Sequence, residues 1–200
     1  MRIKNFLLIL LALLFAIAVL GTSVVRATAQ TSSNFKITTL TNITPSPTLS
    51  PTPAIVDYYL AYPGILPDHF LYPVKMVRDR ILLFLTVNPV KKTEVLLLFA
   101  DKRLGAGKAL IEGGKMELGI STLSKAEKYL ERAVVQAQQA QKEGKDDKKL
   151  YEKLTVASTK HIEVLDQLLL KVPNEAKPQI EKAKEITGRV LAAAKVLSGQ

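Results

Sequence analysis

Cysteine is absent from the 200-residue chain. That excludes a disulfide framework, a thiolate metal site and a lipid-bearing cysteine behind an export signal. Histidine is nearly absent, with two residues, His69 and His161. A zinc pair on a helix needs its second ligand three or four residues on, and after His161 those positions hold Val164 and Leu165. His69 therefore reads as a turn residue and His161 as an imidazole at the edge of the core. The hydrolase signatures G-x-S-x-G and H-E-x-x-H are missing as well. "GAGKAL" at 105–110 invites a phosphate-loop reading and fails it, with Lys102 where glycine is needed and Ala109 where a hydroxyl must hold magnesium. The dinucleotide fingerprint fails at Leu110, and no strand pattern precedes either motif. Small residues on a buried helix that admit a close neighbour, at ~1 kcal/mol each in helix propensity, account for the stretch. Glu127, Glu131, Glu181 and Glu185 stand beside Lys128, Arg132, Lys184 and Arg189, pairs expected on exposed helix faces and not in perturbed acid sites. No catalytic residue, cofactor or metal is expected.

What is present begins at the N-terminus. Arg2 and Lys4 precede an uncharged apolar run from Phe6 to Leu20, and Ala27-Thr28-Ala29 supplies a small-residue cleavage motif. Residues 1–29 read as a secretory signal with cleavage set by Ala27 and Ala29. The competing reading is an uncleaved anchor, a membrane tether through residues 6–25, because Phe6 to Val25 carries no charge. Both put the remainder outside the cytoplasm, secreted, periplasmic or on the outer face of the membrane. Residues 30–56 are rich in Thr, Ser and Pro and end in "TPSPTLSPTP", with little to bury, so they read as a disordered linker. At ~3.1 Å per residue, Thr44 to Pro53 alone would reach roughly 30 Å. Asn42-Ile43-Thr44 matches a glycosylation sequon. The formal charge is +10, and setting aside Arg2, Lys4 and Arg26 leaves +7. A basic exported protein suits anionic envelope polymers or lipid headgroups, or simply has a solvated basic surface. Lys75, Arg78, Arg80, Lys91 and Lys92 form the densest basic cluster, but export removes nucleic acid as a partner.

Residues 57–200 read as a helical bundle domain, with an entry segment over 58–73 and helical periodicity taking over after Pro73. A first helix over about 73–87 sets Val74, Val77, Ile81 and Phe84 on an inward stripe, with Lys75, Arg78, Asp79 and Arg80 mostly opposite. Asn88-Pro89 ends it and starts a second helix to about Glu112, whose "VLLLFA" block marks the most buried element. Gly113-Gly114 closes that helix. A third follows over 115–143, with Leu123, Leu130 and Ala137 seven apart, and a fourth runs from the charged turn to about Val172, with His161 on its apolar stripe. Pro173-Asn174 breaks it, and a fifth begins near Glu175. Short connections imply antiparallel neighbours, and the fold class is an all-α antiparallel bundle of four to five helices. "AEKYLERAV" at 126–134 looks like part of a tetratricopeptide helix, but no 34-residue repeat recurs.

Five of the ten aromatic residues beyond the signal fall between Tyr58 and Tyr72. The lead-in segment 58–73 contains Tyr58, Tyr59, Tyr62, Pro63, Gly64, Pro67, Asp68, Phe70, Tyr72 and Pro73. Pro63-Gly64 suits a type II turn, Pro67-Asp68 a second turn, and Pro73 the first position of a helix. Two roles are open: a rigid plug over one end of the bundle, or an aromatic surface, fixed by proline, that has little entropy left to lose on binding. "YPGILPDHFLYPVKMVRDRI" at 62–81, "FADKRL" at 99–104 and "KHIEVLDQLLLKVPNEAKPQIEKAKEITGRVL" at 160–191 resemble the bacterial domain-of-unknown-function family 5667. The chain differs from that pattern at Phe70, Gly105 and Gly107. The resemblance implies an exported helical architecture and no established activity. The expectation is a non-catalytic exported module that binds or scaffolds in the cell envelope, its partner an envelope protein or anionic envelope polymer. The alternatives are a passive stalk-mounted spacer and a metal-dependent extracytoplasmic enzyme.

Overall fold

The computed structural model describes residues 57–199. The signal or anchor read into 1–29 and the linker read into 30–56 lie outside them. The described residues form five helices and no strand: α1 Tyr72–Leu85, α2 Pro89–Glu112, α3 Met116–Lys142, α4 Lys148–Leu169 and α5 Lys177–Ser198. Among them, no helix is long and apolar enough to cross a membrane.

Local chemistry sets the helix ends. The Asn88 side chain accepts from the N–H groups of Val90 and Lys91 at 2.9 and 3.2 Å, with Pro89 at the first helical position. Asp147 caps α4 by accepting from Leu150 N–H at 3.0 Å. α2 and α3 end alike: Gly114 donates to Ile111 O and Lys115 to Leu110 O, while Gly144 donates to Gln141 O and Lys145 to Ala140 O. This paired closure needs one left-handed residue, and Gly114 and Gly144 supply it at φ +80° and +69°.

α2 packs most extensively on α3, and α4 on α5, while α3 also meets α5 and α2 meets α4. Round the bundle the order is therefore α2, α3, α5, α4, and the consecutive pair α3 and α4 lies on a diagonal. Turn length alone had made them neighbours. Five linking residues reach roughly 16 Å when extended, enough for the ~13 Å diagonal of helices about 9 Å apart. The closest seam is between α2 and α3. A Cβ on Gly107 would stand 2.6 Å from Leu123 Cδ2, and one on Gly119 would stand 2.6 Å from Ile111 Cγ1 and 2.9 Å from Gly107 O. The small residues of "GAGKAL" thus serve packing.

The core falls into two clusters. One gathers Leu96, Leu97, Phe99, Leu130, Val134, Leu154 and Val190, with Leu83 of α1 joining it. The other gathers Leu104, Ile120, Leu123, Leu165, Leu168 and Ile180. α1 lies outside the four-helix core, and its expected orientation is reversed: Val74, Val77, Ile81 and Phe84 are exposed, while Asp79 and Leu83 are buried. The reason is electrostatic as well as apolar. Asp79 finds the buried Arg103 guanidinium only by turning inward, and Leu83 enters the core on the same side.

Candidate functional site

Between the two apolar clusters lies a single layer of polar side chains, one from each core helix. His161 of α4 is completely buried, as are Glu127 of α3 and Thr187 of α5, and Asp101 of α2 is nearly so. His161 Nδ1 meets Glu127 Oε1 and Oε2 at 3.0 and 3.1 Å, and Nε2 meets Asp101 Oδ1 at 3.2 Å. Since each ring nitrogen faces a carboxylate oxygen, both nitrogens carry protons and the ring is an imidazolium. Burial alone would push the His161 pKa down. The Glu127 charge and the hydrogen bonds from both carboxylates outweigh it and raise the pKa to about 9. Thr187 Oγ1 donates to Glu127 Oε2 at 2.7 Å, and the Tyr58 hydroxyl donates to Asp101 Oδ2 at 2.7 Å. Burial and the neighbouring Asp101 charge raise the Tyr58 pKa, so the phenol stays a proton donor.

This arrangement corrects two expectations. Glu127 is not on an exposed face with Lys128, and His161 is not at the edge of the core but at its centre. The sequence held a signal for both. Each layer residue has an apolar residue four positions before and three after: Leu97 and Leu104 around Asp101, Leu123 and Leu130 around Glu127, Ala157 and Val164 around His161, Ala183 and Val190 around Thr187. A polar residue at that spacing falls on the buried stripe. Four such residues on four helices point to a shared layer, which pairing Glu127 with its neighbour in sequence obscured. With both imidazole nitrogens engaged by carboxylates, the ring has no lone pair for a metal, and no group of three ligating side chains among the described residues is placed to hold one.

The lead-in segment runs alongside α2 instead of closing one end of the bundle. Tyr58 reaches Asp101, Pro63 lies where a Cβ on Gly105 would meet its Cδ at 3.7 Å, and Asp68 pairs with Lys115 at the α2–α3 turn. Gly64 sits at φ +66°, but no turn closes at Pro63-Gly64; the expected Pro67-Asp68 turn does form, with His69 N–H donating to Leu66 O at 3.0 Å. Lys75 Nζ donates back to the carbonyls of Pro63 and Ile65 at 2.8 and 2.9 Å. Tyr72 is half-buried beneath Lys75, whose ammonium stands 5.7 Å from the ring, and Pro73 is exposed on the first turn of α1. Pro67 is partly buried. Three aromatic residues are not absorbed: Tyr59 is 90%, Tyr62 83% and Phe70 81% exposed, the last stacked on His69 at 4.7 Å. The strap thus has partly covered residues, Tyr58, Pro63 and Pro67, and exposed ones, Tyr59, Tyr62 and Phe70. An open groove of about 570 Å³ beside Tyr58 is lined by Asp57, Tyr59, Lys108, Lys160 and Glu163 among others, and none of the four layer residues lines it.

A second ionic contact pins α1. The Arg103 guanidinium lies 4.0 Å from the Tyr129 ring centre and 5.3 Å from that of Phe99. Its Nη1 donates to Phe99 O at 3.1 Å, and Nη2 approaches Met76 Sδ at 3.4 Å and Asp79 Oδ2 at 3.7 Å. Arg78 holds the other Asp79 oxygen at 2.8 Å.

Fold and site together define an all-α bundle with a buried histidine–carboxylate layer, strapped along one side by an aromatic segment. Residues 64–175 match the family described as Domain of unknown function (DUF5667), and the chain belongs to that family. Neither a curated protein nor a solved structure matches the chain.

Proposed function

We propose that the protein is a non-catalytic binding or scaffolding module that works outside the cytoplasm, against the cell envelope. The observation that carries this reading is the outward set of Tyr59, Tyr62 and Phe70 on a strap tied down at Tyr58, Pro63, Ile65 and Asp68. Exposed aromatics on a fixed backbone bind with little loss of conformational entropy. The buried layer supports a structural role for the ionisable groups, because His161, Glu127 and Asp101 spend their hydrogen bonds on one another and on Tyr58 and Thr187. Replacing Tyr59, Tyr62 and Phe70 together by serine is expected to leave the melting temperature unchanged and abolish retention on native envelope extract. Undiminished retention refutes the reading. The passive-spacer alternative rests on the residues that face α2, Tyr58 and Pro63, and gains ground if the serine variant is destabilised instead.

A further inference from the structure

The outer face of α1 is the largest feature of the fold that the strap and the layer leave unused. Val74, Val77, Ile81, Phe84, Leu85 and Val87 are 53 to 86% exposed. At about 100° per residue, the five within the helix fall in an arc of roughly 100°, opposite the buried Asp79 and Leu83. Phe84 alone leaves over ~100 Å² uncovered. The six together exceed the roughly 300–600 Å² of the largest apolar patch on a typical monomer.

Basic residues border this ridge, with Arg80 on one edge and Arg78 on the other. Within α1 the single acid is Asp79, buried against Arg103 and Arg78, while Lys91, beyond the helix, is paired with the exposed Glu94 at 3.1 Å. The charge pattern selects the occupant. A second copy docked face to face would set Arg78 and Arg80 against their own counterparts, a like-charge seam. A peptide helix would find no groove, because the face is the convex side of one helix standing on the bundle. An apolar ridge with cationic edges matches the chemistry of a helix lying in the headgroup region of a bilayer.

We propose that α1 is an interfacial docking helix whose apolar ridge enters the acyl boundary of an anionic phospholipid bilayer, while Arg78 and Arg80 on its edges engage the lipid phosphates. This rests on reading the protein as an envelope module and names the lipid surface as a partner of that module. It involves no membrane-spanning segment among the described residues.

The chain has no tryptophan, so Phe84→Trp places a single indole on the ridge. The full-length variant, added to vesicles of phosphatidylglycerol and phosphatidylcholine, is expected to show a blue-shifted emission that brominated acyl chains quench. Val196→Trp, exposed on α5, is expected to stay unquenched. Adding Arg80→Gln to the Phe84→Trp chain lowers vesicle affinity about fivefold, the loss expected for one basic residue at an anionic surface. Absence of quenching from Phe84→Trp on anionic vesicles overturns the proposal, and so does equal quenching on pure phosphatidylcholine. A blue shift that grows with protein concentration without lipid overturns it too, and assigns the ridge to a second copy. Envelope retention that depends on Tyr59 and Tyr62, together with an unquenched Phe84→Trp, would refute lipid docking and leave the module reading standing.

Discussion

Replacing His161 by leucine tests the buried layer most directly. The substitution roughly preserves volume but removes the cation between Glu127 and Asp101, both enclosed in the core. Breaking a buried ion pair from one side typically costs about 3–5 kcal/mol, because the abandoned charge stays desolvated. Against a total stability of about 5–15 kcal/mol for a domain, that is a large fraction. Thr187 and Tyr58 still donate one hydrogen bond each to the carboxylates, so the lower half of the range is the sounder expectation. Urea unfolding of wild type and His161→Leu across pH provides the assay. In the wild type the His161 pKa is raised from 6.5 to about 9 on folding. Its contribution is therefore complete below about pH 6.5 and lost as pH rises through about 9, amounting to about 3 kcal/mol at ~1.4 kcal/mol per pH unit. His161→Leu should lose that alkaline slope. Replacing the whole layer with apolar residues (Asp101→Leu, Glu127→Met, His161→Leu, Thr187→Val and Tyr58→Phe together) is expected to recover most of the loss, since a buried ionic cluster is seldom worth more than a well-packed apolar one. A cost below about 1 kcal/mol for His161→Leu, or an unchanged pH profile, would refute the layer as described.

Four further outcomes follow from particular sites. Gly119→Ala should destabilise by about 1–3 kcal/mol despite its better helix propensity, because the new Cβ meets the Gly107 carbonyl at 2.9 Å and backbone cannot step aside. Gly188→Ala, with nothing within 4 Å, should stabilise by about 0.5–1 kcal/mol, and thermal melts of the two variants check the contrast. Asp79→Ala is expected to release α1 while sparing the core, read as faster amide exchange over 74–85 with α2–α5 unchanged. Asn88→Ala removes two cap bonds and should cost about 1 kcal/mol in chemical denaturation.

Much of the fold could be read locally, since caps, breakers and periodicity act within a few residues. Asn88-Pro89, Gly113-Gly114 and Pro173-Asn174 marked helix boundaries to within a few residues, and the glycines of "GAGKAL" announced a close neighbour without naming it. The strap residues were recognisable as a group from their prolines and aromatics. Which of them face α2 and which face outward was not, because that depends on Asp101, Gly105 and Lys115 being brought alongside.

By itself, the sequence determined five amphipathic helices, the places where they stop, and membership of one helical family. Only the tertiary structure decided which face of α1 turns inward, that α3 and α4 sit on a diagonal, and that Asp101, Glu127, His161 and Thr187 share one layer. The physical reason is the same in each case. Periodicity gives a helix two faces but no partner, and α1 chose the less apolar one because Arg103 waited on another helix. A buried charge is stable only when its counter-charge arrives from elsewhere, and in this layer the partners are 34 and 60 residues apart in the chain.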